Sequence, residues 1–201
     1  MQIEAGQRIL IAGPSGCGKS TLMRAIAGIW PYGAGMVEIP HQWKLLFLPQ
    51  KSYLPIASLR AAIAYPAAER AYTDLAIRHY LELCKLSHLS GLLDRTDNWS
   101  QRLSPGEQQR LAFVRALLTR PAVLFLDEAS SALDTEAEEH VYQLLLQELP
   151  DAAIVSVAHR ESVAKHHQWR WQFVPQQAAS TQGTDQPERW QYAVQCAPSA
   201  G

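Results

Sequence analysis

Residues 13–20 read GPSGCGKS, a Gly-x4-Gly-Lys-Ser string, and their flanks leave few folds open. Upstream, Arg8 to Ala12 (RILIA) is an apolar run of strand length. Downstream, Ser20 to Ala27 (STLMRAIA) has helical spacing and is stopped by Gly28. A glycine-rich turn between a buried strand and a helix gathers free backbone amides and the positive end of the helix dipole at one point, which suits an anionic phosphate chain. Gly13, Gly16 and Gly18 permit close backbone approach and positive φ. Lys19 adds a point charge within reach of β and γ phosphates, and Ser20 offers a hydroxyl to magnesium. Pro14, Ser15, Cys17 and Thr21 complete the cradle. Cys17 is read there as a small residue, whose thiol would make nucleotide binding sensitive to thiol reagents.

Three further apolar runs lack polar alternation: Leu45 to Leu48, Ala122 to Leu126 and Ala153 to Ala158. With the first run they read as strands buried on both faces of a mainly parallel sheet. Helices fall between them at 19–27, at 107–118 with Leu111, Val114 and Leu118 in helical spacing, and at 135–149, opened by Thr135 and Glu138 as a capping box. This alternation predicts an α/β fold with right-handed crossovers. Between Gln50 and Gln101 the strand pattern stops, and Asp74 to Lys85 and His88 to Asp94 read as short helices. Trp169, Trp171 and Phe173 alternate with Arg170 and Gln172, which predicts one half-exposed antiparallel strand. Beyond Pro175 the composition predicts a flexible tail over 175–201, in which WQYAV offers an edge pairing that the pattern does not require.

With 201 residues the chain can bury one sizeable α/β core. Eighteen Lys and Arg against nineteen Asp and Glu leave a net charge of −1, without a basic block, so nucleic acid is not indicated as a partner. The three cysteines, Cys17, Cys84 and Cys196, show no Cys-x-x-Cys spacing, which argues against a disulfide framework or a zinc site. No apolar run reaches the length of a membrane span, and the N-terminus lacks a signal pattern.

Two more segments sharpen the phosphate-binding expectation. LSPGEQQR occupies 103–110, and AVLFLDE follows at 122–128, placing Asp127 and Glu128 at the carboxyl edge of the sheet, where α/β sites form. The ordered set of phosphate loop, Gln50 after KLLFLPQ, LSPGEQQR, LFLDE, SALD at 131–134 and His159 after AIVSVAH resembles the ABC ATPase family over residues 1–174. The segments GIWPYGAGMVEIP and FLPQKSYLPIASLRAAIAYP most resemble fused half-transporters of the peroxisomal fatty-acyl type and their bacterial relatives.

The resemblance implies a P-loop NTPase (RecA-like) core over 1–50 and 102–174, with an inserted α-helical subdomain over 51–101. It implies ATP and Mg2+ as ligands. Asp127 would hold the metal through water, Ser20 and Gln50 would touch it, Glu128 would polarise the attacking water, and His159 would contact the γ phosphate. Ser104 and Gly106 would meet the nucleotide of a second, head-to-tail copy, with Asp134 at the seam. Transmembrane domains would be the other partner, on the cytoplasmic face of a bacterial inner membrane. The family normally has several strands, with an adenine-stacking aromatic residue, before the phosphate loop; the twelve residues before Gly13 imply a truncated domain. Where the family has Leu-Ser-Gly-Gly-Gln, this chain has Pro105, which lacks an amide hydrogen, and the acidic Glu107. As local structure, Ser104, Pro105, Gly106 and Glu107 form a capped helix start, and Asp134 equally suits a cap. The alternatives to a transporter ATPase are an ABC ATPase without a membrane partner and an inactive nucleotide-binding remnant.

Overall fold

A computed structural model of the chain describes residues 1–158, 160–176 and 191–199. Strand β1, Arg8–Ala12, runs into the glycine loop, and helix α1, Lys19–Ile26, leaves it. After β2, Leu45–Pro49, the chain departs from the sheet through β3 (Ala57–Ser58), α2 (Leu59–Ala64), α3 (Asp74–Leu83), β4 (Thr96–Asp97) and α4 (Trp99–Arg102). It returns through α5, Pro105–Thr119, then alternates β5 (Val123–Asp127), α6 (Thr135–Glu148), β6 (Ala153–Val157) and α7 (Glu161–Ala164). Strands β7 (Trp169–Gln176) and β8 (Gln191–Pro198) follow.

The long strands form one sheet in the order β2-β5-β6-β1-β7-β8. All pairs are parallel except β7 with β8. The expected α/β fold with a mainly parallel sheet is therefore present. Strand side chains alternate between faces, and the core divides accordingly. Leu124, Leu126 and Ile154 belong to an apolar cluster with Leu111, Leu117, Val141 and Leu145 of α5 and α6, which continues into Leu59, Ile63, Ile77 and Trp99 of the helical insertion. Ile9, Ile11, Phe125 and Val155 cluster on the other side with Met23, Trp171 and Phe173. Each such buried side chain contributes about 1.5–3 kcal/mol, so the carboxyl ends of β1, β2 and β5, where the site residues lie, sit on a stiff platform.

The insertion carries its own polar fastening. Arg60, almost wholly buried, bridges Asp74 and Asp94, and the Trp99 indole N–H donates to the Ala57 carbonyl at 2.9 Å. Arg115 of α5 donates from Nε to the Ala62 carbonyl at 3.0 Å, tying the insertion to the helix that returns to the sheet. Burial pushes the Arg115 guanidinium down to about 10.

Several expectations change. Strand β2 is not buried on both faces: it pairs only with β5 at the sheet edge, and Leu45, Leu46 and Phe47 are half-buried. Strand β7 is parallel to β1, with Ile9 opposite Trp169, and antiparallel only to β8. Alternation reports a half-exposed strand but not its direction, which is set by the free edge it joins. The tail expected from 175 onward contains the end of β7 and all of β8, where Val194 lies opposite Phe173 and covers that edge; residues 177–190 lie outside the described residues. The short helix expected over His88 to Asp94 is a single 3-10 turn, Ser87–Leu89. Helix α6 is capped not by Thr135 but by Asp134, whose carboxylate accepts from the Ala137 amide at 2.7 Å. Glu138 instead turns inward, accepting from Ser130 at 2.7 Å and Ser162 at 2.6 Å. Among the described residues no helix is long and apolar enough to cross a membrane.

Candidate nucleotide site

The loop between β1 and α1 has the backbone that its glycines were expected to allow. Gly16 and Gly18 have φ of 77° and 99°, and a side chain at either would strain the turn. Gly13 has a second, steric reason: a Cβ there would stand 2.7 Å from the Cβ of Phe173, because β7 passes directly against the loop. Cys17 faces the same packed side, in the Phe173 cluster, so its role is packing. Lys19 is only 7% exposed and folds back, donating from Nζ to the carbonyls of Gly13 and Pro14, both at 2.9 Å. The lysine thus staples its own loop. Ser15, Gly16, Gly18, Lys19, Ser20 and Thr21 line a cavity of about 250 Å3, and Glu128 closes it.

The two acids at the end of β5 have different surroundings. Asp127, 5% exposed, accepts from the Ser20 hydroxyl at 2.6 Å, while Arg24 lies 3.5 Å from its other oxygen. A serine hydroxyl beside a buried carboxylate is a pair of hard oxygens suited to magnesium, which takes few protein ligands when it arrives with phosphates. Among the described residues no cluster of three His, Cys, Asp or Glu offers a denser metal cage, and the residues at Ser20 fit Mg2+ in that phosphate-borne form.

Glu128 adopts φ 52°, unusual for a residue with a side chain, and its amide donates to the Val157 carbonyl at 3.0 Å. This turn follows directly on the last residue of β5, and the Glu128 side chain lines the phosphate-loop cavity. Gln50, at the end of β2, donates from Nε2 to Glu128 Oε2 at 3.0 Å. Parallel pairing places Pro49 opposite Asp127, so the residues after each strand meet. His159 lies outside the described residues.

Ser104, Gly106 and Asp134 are not brought to this cavity but to each other's neighbourhood. Ser104 caps α5 with Pro105 at the first helical position, and the capping box with Glu107 is complete: Ser104 N donates to Glu107 Oε2 at 2.9 Å. A Cβ on Gly106 would lie 3.4 Å from the Ala132 carbonyl, in the loop that leads to Asp134. Glu107 also meets His88 Nε2 at 3.0 Å. Burial pushes the Glu107 carboxyl up, but the Ser104 amide and hydroxyl, together with His88, outweigh it and hold the group below its usual range.

Two residues that motif reading passes over hold these parts together. Gln109 is 5% exposed and bonds to the Gln50 carbonyl and to Ser131 and Ala132. Its signal in the sequence is a polar residue four positions before Phe113, on the buried side of α5. Arg160 donates to the carbonyls of Leu133 at 2.7 Å and Ser131 at 3.2 Å and pairs with buried Glu138.

Residues 1–131 match the family described as ABC transporter. The chain is 45% identical over 163 residues to an ABC transporter ATP-binding protein of Haemophilus influenzae, a match spanning 81% of this chain and 27% of that protein. It is 32% identical over 176 residues to human ATP-binding cassette sub-family D member 3, with 84% and 26% spanned. It is 40% identical over 184 residues to the mouse lysosomal cobalamin transporter ABCD4, with 84% and 30% spanned. The chain therefore spans about a quarter to a third of the length of these relatives. Among solved structures, a bacterial Atm1-family ABC exporter with ATP bound superposes with a TM-score of 0.74 at 27% identity, covering 86% of this chain and 33% of that one. On these matches, and with a phosphate loop on a mainly parallel sheet, the chain belongs to the ABC transporter ATP-binding family.

Proposed function

We propose that this chain binds and hydrolyses ATP with Mg2+ as the nucleotide-binding part of an ABC transporter, and that two copies acting head to tail drive transmembrane domains on the cytoplasmic face of a bacterial inner membrane. The observation that carries this reading is the cavity itself, in which Glu128 faces the phosphate loop with its Oε2 held by Gln50 at 3.0 Å. The cobalamin transporter among the relatives and the exporter neighbour support the transport partner.

In this reading the loop amides and the start of α1 bind the phosphate chain, and Lys19, held by Gly13 and Pro14, presents its charge to the β and γ phosphates. Ser20 and Asp127 would hold Mg2+, with Gln50 beside them, and a metal held there would supply positive charge against the phosphate oxygens. Glu128 polarises a water whose oxygen attacks the γ phosphorus, the bond to the β–γ bridging oxygen breaks, and the water proton passes to the carboxylate. The products are ADP and inorganic phosphate. Ser104 and Gly106 serve the partner copy's nucleotide, and Asp134, which caps α6, lies at the seam. Residues 51–101 act as the helical subdomain that passes the nucleotide state to the membrane part, and His159 completes the γ-phosphate side.

The test is ATP binding by calorimetry and Mg2+-dependent phosphate release by the purified chain, against Lys19→Ala. The expected result is Mg2+-dependent turnover, lost in the variant together with at least about tenfold in ATP affinity, as for one lost charge-assisted phosphate contact. A folded wild-type chain that neither binds nor hydrolyses ATP would overturn the reading.

A further inference from the structure

The carboxamide of Gln109 is engaged at three points inside the protein. Its Nε2 donates to the main-chain carbonyl of Gln50 and to Ser131 Oγ, both at 3.1 Å, and its Oε1 accepts from the Ala132 amide at 2.8 Å. The helix that carries it is capped by Ser104, and that first turn packs on the same loop, where a Cβ on Gly106 would touch the Ala132 carbonyl at 3.4 Å. Gln50 in turn holds Glu128. One buried amide therefore stands between the exposed end of α5, the loop running to Asp134 and the residue that orients the water-activating carboxylate. Its two polar ends are both required. A glutamate would set a second acceptor against the Gln50 carbonyl, and an aliphatic residue would strand that carbonyl and the Ala132 amide.

We propose that Gln109 is a positioning residue for hydrolysis: it fixes Gln50 against Glu128 and carries to them the position of the α5 N-terminus, so that a partner's nucleotide at Ser104 and Gly106 is felt at this chain's own hydrolysis centre. The proposal rests on the ATPase reading given above. Arg160 also holds the Ser131–Leu133 segment, through the carbonyls of Ser131 and Leu133. Gln109 thus supplies the link to Gln50, while Arg160 supplies the anchor to Glu138 and α6.

The test compares five forms of the full chain: wild type, Gln109→Ala, Gln50→Ala, the double variant, and Gln109→Glu as a form of nearly unchanged volume. Amide hydrogen exchange at Ala132 is measured without nucleotide, and steady-state ATP hydrolysis with Mg2+. The expected outcome for Gln109→Ala is a kcat about tenfold or more below wild type with KM for ATP within about twofold, as for a misplaced rather than missing catalytic group. Exchange at Ala132 rises about tenfold, since its acceptor is gone. The double variant is no slower than Gln50→Ala alone, because both lesions remove the same link. Gln109→Glu, which keeps an oxygen for the Ala132 amide but loses both donor contacts, gives the same kcat loss with Ala132 exchange near that of wild type. Losses that multiply in the double variant, or unchanged kcat and Ala132 exchange, overturn the role of Gln109 alone. A folded wild-type chain without hydrolysis overturns the ATPase reading and this role with it.

Discussion

Ser20 and Asp127, 107 positions apart in the chain, meet through a hydroxyl-to-carboxylate hydrogen bond of 2.6 Å. It joins the first turn of α1 to the last residue of β5, so the phosphate loop and the acidic strand end form one rigid unit. Asp127→Asn keeps the shape but gives up the charge. We expect it to bind ATP within a few-fold of wild type and to need about tenfold or more Mg2+ for half-maximal hydrolysis, the usual scale for a lost outer partner of a metal. Magnesium titrations of hydrolysis check this, and an unchanged requirement would remove Asp127 from the metal site.

Glu107 places a carboxylate at the N-terminus of α5, beside His88 and within the Ser104 cap. In the head-to-tail pair proposed above, that charge would face the phosphates of the second copy and oppose closure. Glu107→Gln retains an oxygen for the Ser104 amide and removes the repulsion, so the ATP concentration for half-maximal dimer formation should fall severalfold, the equivalent of about 1 kcal/mol at a partly solvated pair of charges. His88→Ala should move it the other way. With both changes made in the Glu128→Gln background, where the dimer persists, sizing chromatography over a range of ATP concentrations reads both, and a shift of the same sign in the two variants would contradict the charge argument.

Acid sensitivity should come in part from His167. Its Nδ1 donates to the Val163 carbonyl at 2.8 Å, so Nε2 accepts from the Ser156 hydroxyl at 2.8 Å, and Ser156 in turn accepts from Tyr142. Burial pushes the imidazole from 6.5 down to about 4, against the Val163 carbonyl and with small repulsions from His166 and Arg8. The unfolded chain takes up this proton near pH 6.5 and the folded chain only near 4, so acidification across that window favours unfolding. The loss is of the order of 3 kcal/mol by pH 4, with no contribution above pH 6.5. Urea midpoints from pH 7 to 4.5 should fall less steeply in His167→Gln than in wild type, and parallel profiles would refute the assignment.

Much of the site was legible because its chemistry is local in sequence. Residues 13–20 define their own turn, and the capping box at Ser104 and Glu107 needs only four residues. The strand ends at Asp127 and Gln50 follow from where an apolar run stops. What was not legible depends on partners distant in the chain. The direction of β7 is decided by the vacant side of β1, which no periodicity in 169–173 encodes. Strand β8 exists because β7 offers an edge, not because its own composition demands a strand. Thr135 and Asp134 compete for one cap, and Asp134 takes it because Glu138 is drawn inward by Ser130 and Ser162. Gln109 reads as one of two glutamines in a helix until the Gln50 and Ser131 loops are folded onto it.

The central claim, a head-to-tail ATPase in which Glu128 activates water, is tested most directly by purifying Glu128→Gln and sizing it in ATP and Mg2+ beside wild type. The amide keeps the volume and the contact to Gln50 but cannot take the proton. Turnover is expected in wild type, with a fall of about a hundredfold or more in the variant and an ATP-dependent dimer that accumulates only there. Normal hydrolysis by Glu128→Gln would contradict the claim.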